Sequence, residues 1–128
     1  MVKILDYAEQ VKEGGLNLLC TPGNDVESTT GLAGSGANLI VFTTGLGTPT
    51  GNPVAPVIKM SSNTRLHESM HDIIDFNAGT VITGEDTIQT RGEALFEYLI
   101  QVASGDEITK ATWLEQDDFI PWKRDISL

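Results

Sequence analysis

The predicted fold rests on Asn38–Asn63, NLIVFTTGLGTPTGNPVAPVIKMSSN. Its first part, Asn38–Thr44, is an apolar and β-branched run with the length of a buried strand. Interleaved glycines and prolines then exclude any regular element until the strand pattern resumes at Val57–Ser61. Strands that are apolar on both faces are typical of parallel sheets covered by helices. We therefore predict an α/β fold, a small three-layer domain with a mostly parallel, Rossmann-like sheet flanked by helices.

A strand–helix–strand unit is predicted upstream of this stretch. Leu16–Leu19 has a strand pattern, and Asn24 with Glu27 three residues later resembles a capping box at the start of a helix. Together with Asn38–Thr44 these elements predict a right-handed βαβ unit within one sheet of three to five strands. The helix contains several glycines, which lower helix propensity. We expect them to allow close packing against the sheet.

The longest helix is predicted downstream, over Asp86–Ser104. Thr83 with Asp86 three residues later matches a capping-box start, and Gly105 is a typical helix end. Apolar residues recur within this helix at helical spacing, so we expect a buried stripe. The stripe comprises Leu95, Phe96 and Leu99.

Shorter elements are predicted between these regions. The segment Thr64–His71 has the pattern of a short helix, and Asp75–Gly79 that of a polar turn. Thr80–Ile82 has the β-branched composition of a short strand. The late aromatic residues are expected either to fold back on the domain or to dock against a neighbouring domain.

Composition restricts the class of protein. The chain has 128 residues, enough for one domain over 1–128, with residues 1–14 a candidate linker from a preceding portion. Its formal net charge of −10 disfavours nucleic-acid binding. There is no apolar run of about 18 residues and no signal-peptide pattern, so we expect no membrane association and a cytoplasmic location. Cys20 is the single cysteine and is expected to be a small buried residue, not a nucleophile.

The stretch from Phe42 to Asn63 resembles the C-terminal part of the altronate/galactarate dehydratase family. The similarity continues in collinear order through three further segments. They are Pro22–Asp25, Asp75–Gly79 and Phe119–Trp122. The chain is shorter than members of that family, and it has Leu46 where many of them have arginine, which leaves the substrate open.

The resemblance implies part of a metal-dependent hydro-lyase that dehydrates a sugar acid, altronate first and galactarate next, to a 2-keto-3-deoxy acid. It implies Fe²⁺ or Mn²⁺ in the full-length enzyme, with no tight metal site in this chain alone. It also implies an anionic substrate, the missing N-terminal domains as partners and a homo-oligomer as one form of assembly. We expect the isolated chain to be inactive. The alternatives are a non-catalytic sugar-acid or protein binding module, or a sulfo-lyase of the same family.

Candidate binding residues follow the two central strands, because ligands of open α/β sheets sit at the carboxyl ends of parallel strands. Backbone N–H groups and hydroxyls at these ends could contact an anionic sugar acid, although a tight surface loop explains the same glycines equally well. Asn63 could instead cap the next helix. The candidates are Thr43, Thr44, Gly45, Gly47 and Asn63.

Lys59 is a cation within an otherwise apolar strand. It either extends to solvent along the surface or acts catalytically, as a contact for the substrate carboxylate or as a base with a lowered pKa. Asp75 and Asn77 could supply oxygen ligands to a hard metal or contact substrate, but Asx residues also make turns.

His67–His71, HESMH, matches the H-E-x-x-H pattern of zinc metalloproteases. The predicted helix is short and no third ligand is identifiable, so we interpret the histidines as an exposed helical pair.

Overall fold

The computed structural model describes residues 2–123, which form short strands and helices around two parallel sheets. In chain order the elements are β1 (Lys3–Leu5), β2 (Asn17–Leu19), α1 (Asp25–Gly34), β3 (Ile40–Thr44), β4 (Val57–Ser61), α2 (Thr64–Ser69), β5 (Phe76–Asn77), α3 (Thr80–Thr83), α4 (Ile88–Ser104) and α5 (Lys110–Trp113). The predicted α/β class is confirmed. Within the described residues no helix has both the length and the apolar composition needed to cross a membrane.

The larger sheet contains β3, β4 and β5 in that order, and all neighbouring strands are parallel. The pairing of β3 with β4 runs from Ile40 opposite Val57 to Thr44 opposite Ser61. The central position of β4 explains its burial, because it has a paired strand on each side. The apolar core at this sheet combines Ile40, Ala55 and Val57 with partly buried side chains that include Leu32 of α1.

The smaller sheet corrects one part of the prediction. Residues Asn17–Leu19 pair in parallel with Lys3–Leu5 and not with the larger sheet, so the predicted βαβ unit ending at β3 is wrong. Backbone bonds from Lys3 N to Leu16 O (3.1 Å) and from Cys20 N to Leu5 O (2.9 Å) extend this pairing. Cys20 itself is exposed, so its predicted burial is also wrong. A strand of three residues carries too little pattern to specify its partner, and here the partner is Lys3–Leu5.

The glycines of α1 pack closely, but against a turn and not against the sheet. A Cβ at Gly31 would lie 2.5 Å from the Tyr7 ring, and one at Gly34 would lie 3.0 Å from the Ala8 side chain. The predicted capping box does not form, since Asn24 makes no side-chain bond to the helix backbone. Near the other end of the described chain, Trp122 folds back onto Tyr7, with ring centroids 5.6 Å apart.

The long helix α4 begins later than predicted. Thr87 is its N-cap and exchanges bonds with Thr90, whereas Thr83 lies at the end of α3, where Gly84 adopts a left-handed conformation (φ 80°). The predicted end at Gly105 is confirmed. The predicted stripe is only partly buried, because Phe96 is 60% exposed. The apolar periodicity was real, but no described element covers this side of the helix.

The region between β4 and α4 is partly as predicted. Helix α2 is confirmed but ends at Ser69, two residues before His71. The predicted polar turn contains β5, whose register places Asn77 opposite Ser61. Thr80–Thr83 is helical, so the strand predicted at Thr80–Ile82 is wrong. The pairing of Asp75–Ala78 with the edge of β4 is a tertiary contact that composition alone could not show.

Candidate functional site

A crevice opens where β3 and β4 end side by side. It has a volume of about 320 Å³ and is formed by the loop after β3 together with α2 and its two caps. The parallel register that aligns Thr44 with Ser61 brings these two segments to one edge. The lining residues are Gly45, Leu46, Asn63, Arg65, Leu66, Ser69 and Met70. Of the predicted binding residues, the crevice therefore brings together Gly45 and Asn63.

Thr43 and Thr44 have different surroundings, because successive strand residues point to opposite faces. The hydroxyl oxygen of Thr44 accepts a hydrogen bond from the Gly47 backbone N–H (2.9 Å). Gly47 has a left-handed φ of 92°, and a Cβ there would collide with the Met70 sulfur. Thr44 and Gly47 thus stabilise the shape of the loop, and Thr43 is exposed.

Asn63 caps α2 and also holds the loop after β3. Its side-chain oxygen accepts a bond from the Leu66 N–H (2.8 Å), and its amide nitrogen donates to the Gly45 carbonyl (3.3 Å). Asn63 therefore caps this helix, which is the alternative role that the sequence suggests for it. The same side chain bridges the two walls of the crevice.

Lys59 is fully buried, with no exposed surface, so extension of its side chain to solvent is wrong. Its ammonium nitrogen lies 3.4 Å from the Pro49 carbonyl oxygen and 3.3 Å from that of Thr50. Burial lowers the pKa of Lys59 below its ordinary value, while the nearby charge of Asp75 opposes that shift. The ammonium group lies behind the glycine-rich loop and is not among the groups that line the crevice.

Asp75 connects β4 to α5 through both carboxylate oxygens. One oxygen accepts a hydrogen bond from the Lys59 backbone N–H (2.7 Å) and the other accepts from the Lys110 backbone N–H (2.8 Å). Asn77 makes an Asx-type turn, since its side-chain oxygen accepts from the Gly79 N–H (2.8 Å). Asn77 thus makes the turn that the sequence analysis gives as the alternative to a metal or substrate contact.

The comparison with known proteins identifies the family. A profile described as D-galactarate/altronate dehydratase, C-terminal, matches residues 1–127. The chain belongs to this dehydratase family. The predicted resemblance is thereby confirmed.

Three relatives illustrate the range of the family. The chain is 41% identical over 109 residues to the galactarate dehydratase (L-threo-forming) of Escherichia coli K12, covering 85% of this chain and 21% of that protein. It is 40% identical over 119 residues to the altronate dehydratase of the same organism, covering 93% and 23%. It is also 34% identical over 117 residues to the (2R)-sulfolactate sulfo-lyase subunit beta of Chromohalobacter salexigens, covering 91% and 30%. The chain therefore spans less than a third of the length of each of these relatives.

The donor side chains of the described part of the chain do not form a metal site. In residues 2–123 no three His, Cys, Asp or Glu side chains are arranged to hold an ion. Asp75, one of the two possible metal contacts considered from sequence, already uses both oxygens on backbone N–H groups. The described residues thus do not fit the iron or manganese that the family resemblance implies.

The H-E-x-x-H segment does not form a zinc-binding helix face. His67 lies in α2, but His71 follows the helix end at Ser69. The interpretation as a helical pair is therefore wrong for His71. Burial, followed by the positive charges of Lys110 and Arg91, lowers the pKa of His67.

Arg65 lines the crevice beside Leu46, although it is not among the residues predicted from sequence. Its side chain is exposed, and it forms no salt bridge with any described residue. A guanidinium is suited to bind a carboxylate through two hydrogen bonds. The signal available in the sequence was its position two residues after Asn63, within the first turn of a short helix.

Proposed function

We propose that this chain forms part of a hydro-lyase that dehydrates an anionic sugar acid, altronate first and galactarate next. The observation that carries the proposal is the family match over residues 1–127, together with about 40% identity to dehydratases of both substrates. The expected product is a 2-keto-3-deoxy acid. A cytoplasmic location and assembly with the remaining enzyme domains, as a homo-oligomer, are part of the proposal.

The crevice at the ends of β3 and β4 is the proposed contact for the substrate. Arg65 supplies a positive charge that a substrate carboxylate needs in a chain of net charge −10. Asn63 and the exposed Gly45 lie on opposite walls, where they can meet substrate hydroxyls. Thr43, Thr44 and Gly47 shape and border this loop. Lys59 supports the loop from behind through the Pro49 and Thr50 carbonyl groups.

The chemistry of dehydration requires more groups than this domain offers. A base removes the proton next to the carboxylate, the hydroxyl on the neighbouring carbon leaves as water, and positive charge stabilises the enediolate formed in between. The described residues show no paired acid and base in the crevice. We therefore propose that the rest of the enzyme supplies these groups together with the ligands of Fe²⁺ or Mn²⁺, and that Asp75 and Asn77 position the strand ends.

A sulfo-lyase activity is the second candidate, supported by the 34% identity to the sulfolactate sulfo-lyase subunit. Sulfolactate also carries a carboxylate, so the same crevice would suit it. Leaving-group chemistry separates the two functions, since one reaction releases water and the other releases sulfite.

The test is steady-state kinetics of the assembled enzyme on altronate, galactarate and sulfolactate. Arg65→Gln should raise KM at least about tenfold on the true substrate, because it removes one charge-assisted contact. Lys12→Gln is the matched control, since Lys12 is exposed and its loss changes the net charge equally. Equal KM values for the two variants would contradict the crevice assignment, and turnover by the isolated chain would contradict the partial-site proposal.

The contribution of Lys59 to the reaction, which we propose it makes through the loop that it supports, is tested with a separate variant. Lys59→Met keeps the apolar stem and should lower kcat/KM at least about tenfold. Thr44→Val, which removes one neutral hydrogen-bond acceptor, should have a smaller effect. Unchanged kinetics in a folded Lys59→Met enzyme would leave this lysine without a part in the reaction.

A further inference from the structure

The α4 face is an apolar surface that the described chain leaves uncovered. We define it as Ile88, Gly92, Leu95 and Phe96 of α4 together with Val81 of α3. Ile88 is 80% exposed and Phe96 is 60% exposed, although α4 is the longest helix of the described chain. A surface helix of a stable domain normally buries its apolar stripe against the core. Here Val102 is the buried residue of the helix.

Two adjoining depressions give the α4 face a shape that another element can fill. One, of about 170 Å³, lies between α4 and the larger sheet and is bordered by Met60, Phe76 and Leu95. The other, of about 300 Å³, lies along the outer side of α4 and includes Phe96. Ile88 and Gly92 border both, so the two depressions are neighbours on the α4 face, and we refer to them together as the groove.

Arg91 borders the inner depression, but its side chain contacts other residues of the fold and faces the opposite charge of Asp86. Its Nε atom donates to the Asn77 carbonyl (2.6 Å), and its guanidinium carbon lies 4.2 Å from the centre of the Phe76 ring. A longer contact of 3.8 Å joins it to Asp86. The charges that border Phe96 are instead two carboxylates, Glu93 and Glu97.

These carboxylates argue against a second copy as the occupant. A symmetric contact buries the same patch of both subunits, so it would bring the carboxylates Glu93 and Glu97 of each copy into one interface. The net charge of −10 adds to this repulsion. The groove suits an apolar segment flanked by Lys or Arg.

The family comparison indicates where such a segment comes from. In the two Escherichia coli dehydratases the matched region covers 21% and 23% of the polypeptide, so about four-fifths of each protein lies elsewhere. The inner depression also reaches Met60 and Ala78, at the carboxyl ends of β4 and β5. An element seated there would border the same sheet edge as the crevice.

We propose that the α4 face is the docking surface for the remaining portion of the dehydratase, through an apolar segment with a basic rim. The proposal rests on the family assignment and the surface, and it is independent of which acid the enzyme converts.

The experiment compares thiol labelling of the assembled enzyme and of the isolated chain. Phe96→Cys and Val54→Cys are made in a Cys20→Ser background, because Phe96 (60%) and Val54 (65%) are similarly exposed apolar residues. Labelling of the peptide that contains each new cysteine is followed by mass spectrometry. We expect Phe96→Cys to react at least about a hundredfold more slowly in the assembled enzyme, and Val54→Cys to react similarly in both.

Two results would overturn the proposal. Equal labelling rates of Phe96→Cys in both samples would show that the remaining portion does not cover the α4 face. Protection of Phe96→Cys in the isolated chain, increasing with its concentration, would identify a second copy as the occupant. Because a single cysteine replaces one exposed side chain, neither result depends on a variant that fails to fold.

Discussion

The ammonium nitrogen of Lys59 lies 3.3 Å from the backbone carbonyl oxygen of Thr50, at the end of a side chain with no exposed surface. The central strand thereby holds the glycine-rich loop through a buried positive charge. Asp75 is near, but its carboxylate accepts hydrogen bonds from backbone N–H groups and makes no salt bridge to this ammonium group. The ammonium group is therefore hydrogen-bonded to backbone carbonyl groups, and the nearby charge of Asp75 favours its protonated form.

The stability of the chain should rise with pH on account of Lys59. Burial lowers its pKa, so between that folded-state pKa and the ordinary value of 10.5 the unfolded chain binds more protons than the folded one. This contribution is lost as pH falls through the folded-state pKa. Urea denaturation from about pH 7 to about pH 10 measures it, and Lys59→Met should remove the rise.

Tyr98 contributes a pH dependence of stability with the opposite sign to that of Lys59. Burial raises its pKa to about 12, so its contribution falls as pH rises above 10. Tyr98 is present in both the wild type and Lys59→Met, so its contribution cancels from the difference between their free energies of unfolding. Parallel pH profiles of the wild type and Lys59→Met would contradict the prediction.

Asp75→Asn should lower the free energy of unfolding by about 1–3 kcal/mol. The substituted amide has one acceptor oxygen, so its NH₂ group would face the N–H of either Lys59 or Lys110. Asp72→Asn, at an exposed position three residues earlier, is the control and should change stability by less than about 0.5 kcal/mol. Urea midpoints measured at neutral pH compare the two, and a similar loss in both would show that charge alone matters.

Two glycine-to-alanine substitutions should have opposite effects. A Cβ at Gly79 would collide with backbone atoms of Asn63 and Thr64, so Gly79→Ala should destabilise by at least about 1 kcal/mol. Gly92 lies inside α4 with open space around the new methyl group, so Gly92→Ala should stabilise by about 0.5–1 kcal/mol. Thermal unfolding of both variants measures the contrast. A stable Gly79→Ala would mean that the strand ends can move apart.

Zinc should not bind tightly at His67 and His71. The two side chains do not share a helix, because α2 ends at Ser69, and a tight site needs a further ligand. Calorimetric titration of the metal-free chain with zinc should show no submicromolar site. A submicromolar site that His67→Ala abolishes would reopen the metalloprotease interpretation.

Part of the candidate site was predictable because it depends on local chain chemistry. Asn63 was recognised as a candidate helix cap, and it caps α2. Gly45 and Asn63 were expected at one sheet edge, and they border one crevice. Arg65 was missed because an exposed basic residue looks the same in sequence whether or not it borders a crevice. The burial of Lys59 was missed because its nearest polar partners are carbonyl groups ten and nine residues earlier in the chain.

The parallel pair β3–β4 and the end of α4 at Gly105 were predictable from sequence, because apolar runs, prolines and glycines act through neighbouring residues. The partner of Asn17–Leu19 was decided by tertiary structure, since a three-residue strand carries too little pattern to select between Lys3–Leu5 and the larger sheet. The exposure of Phe96 also depends on tertiary structure. Periodicity shows that a helix has an apolar face, and only the packed chain shows which part of that face remains open.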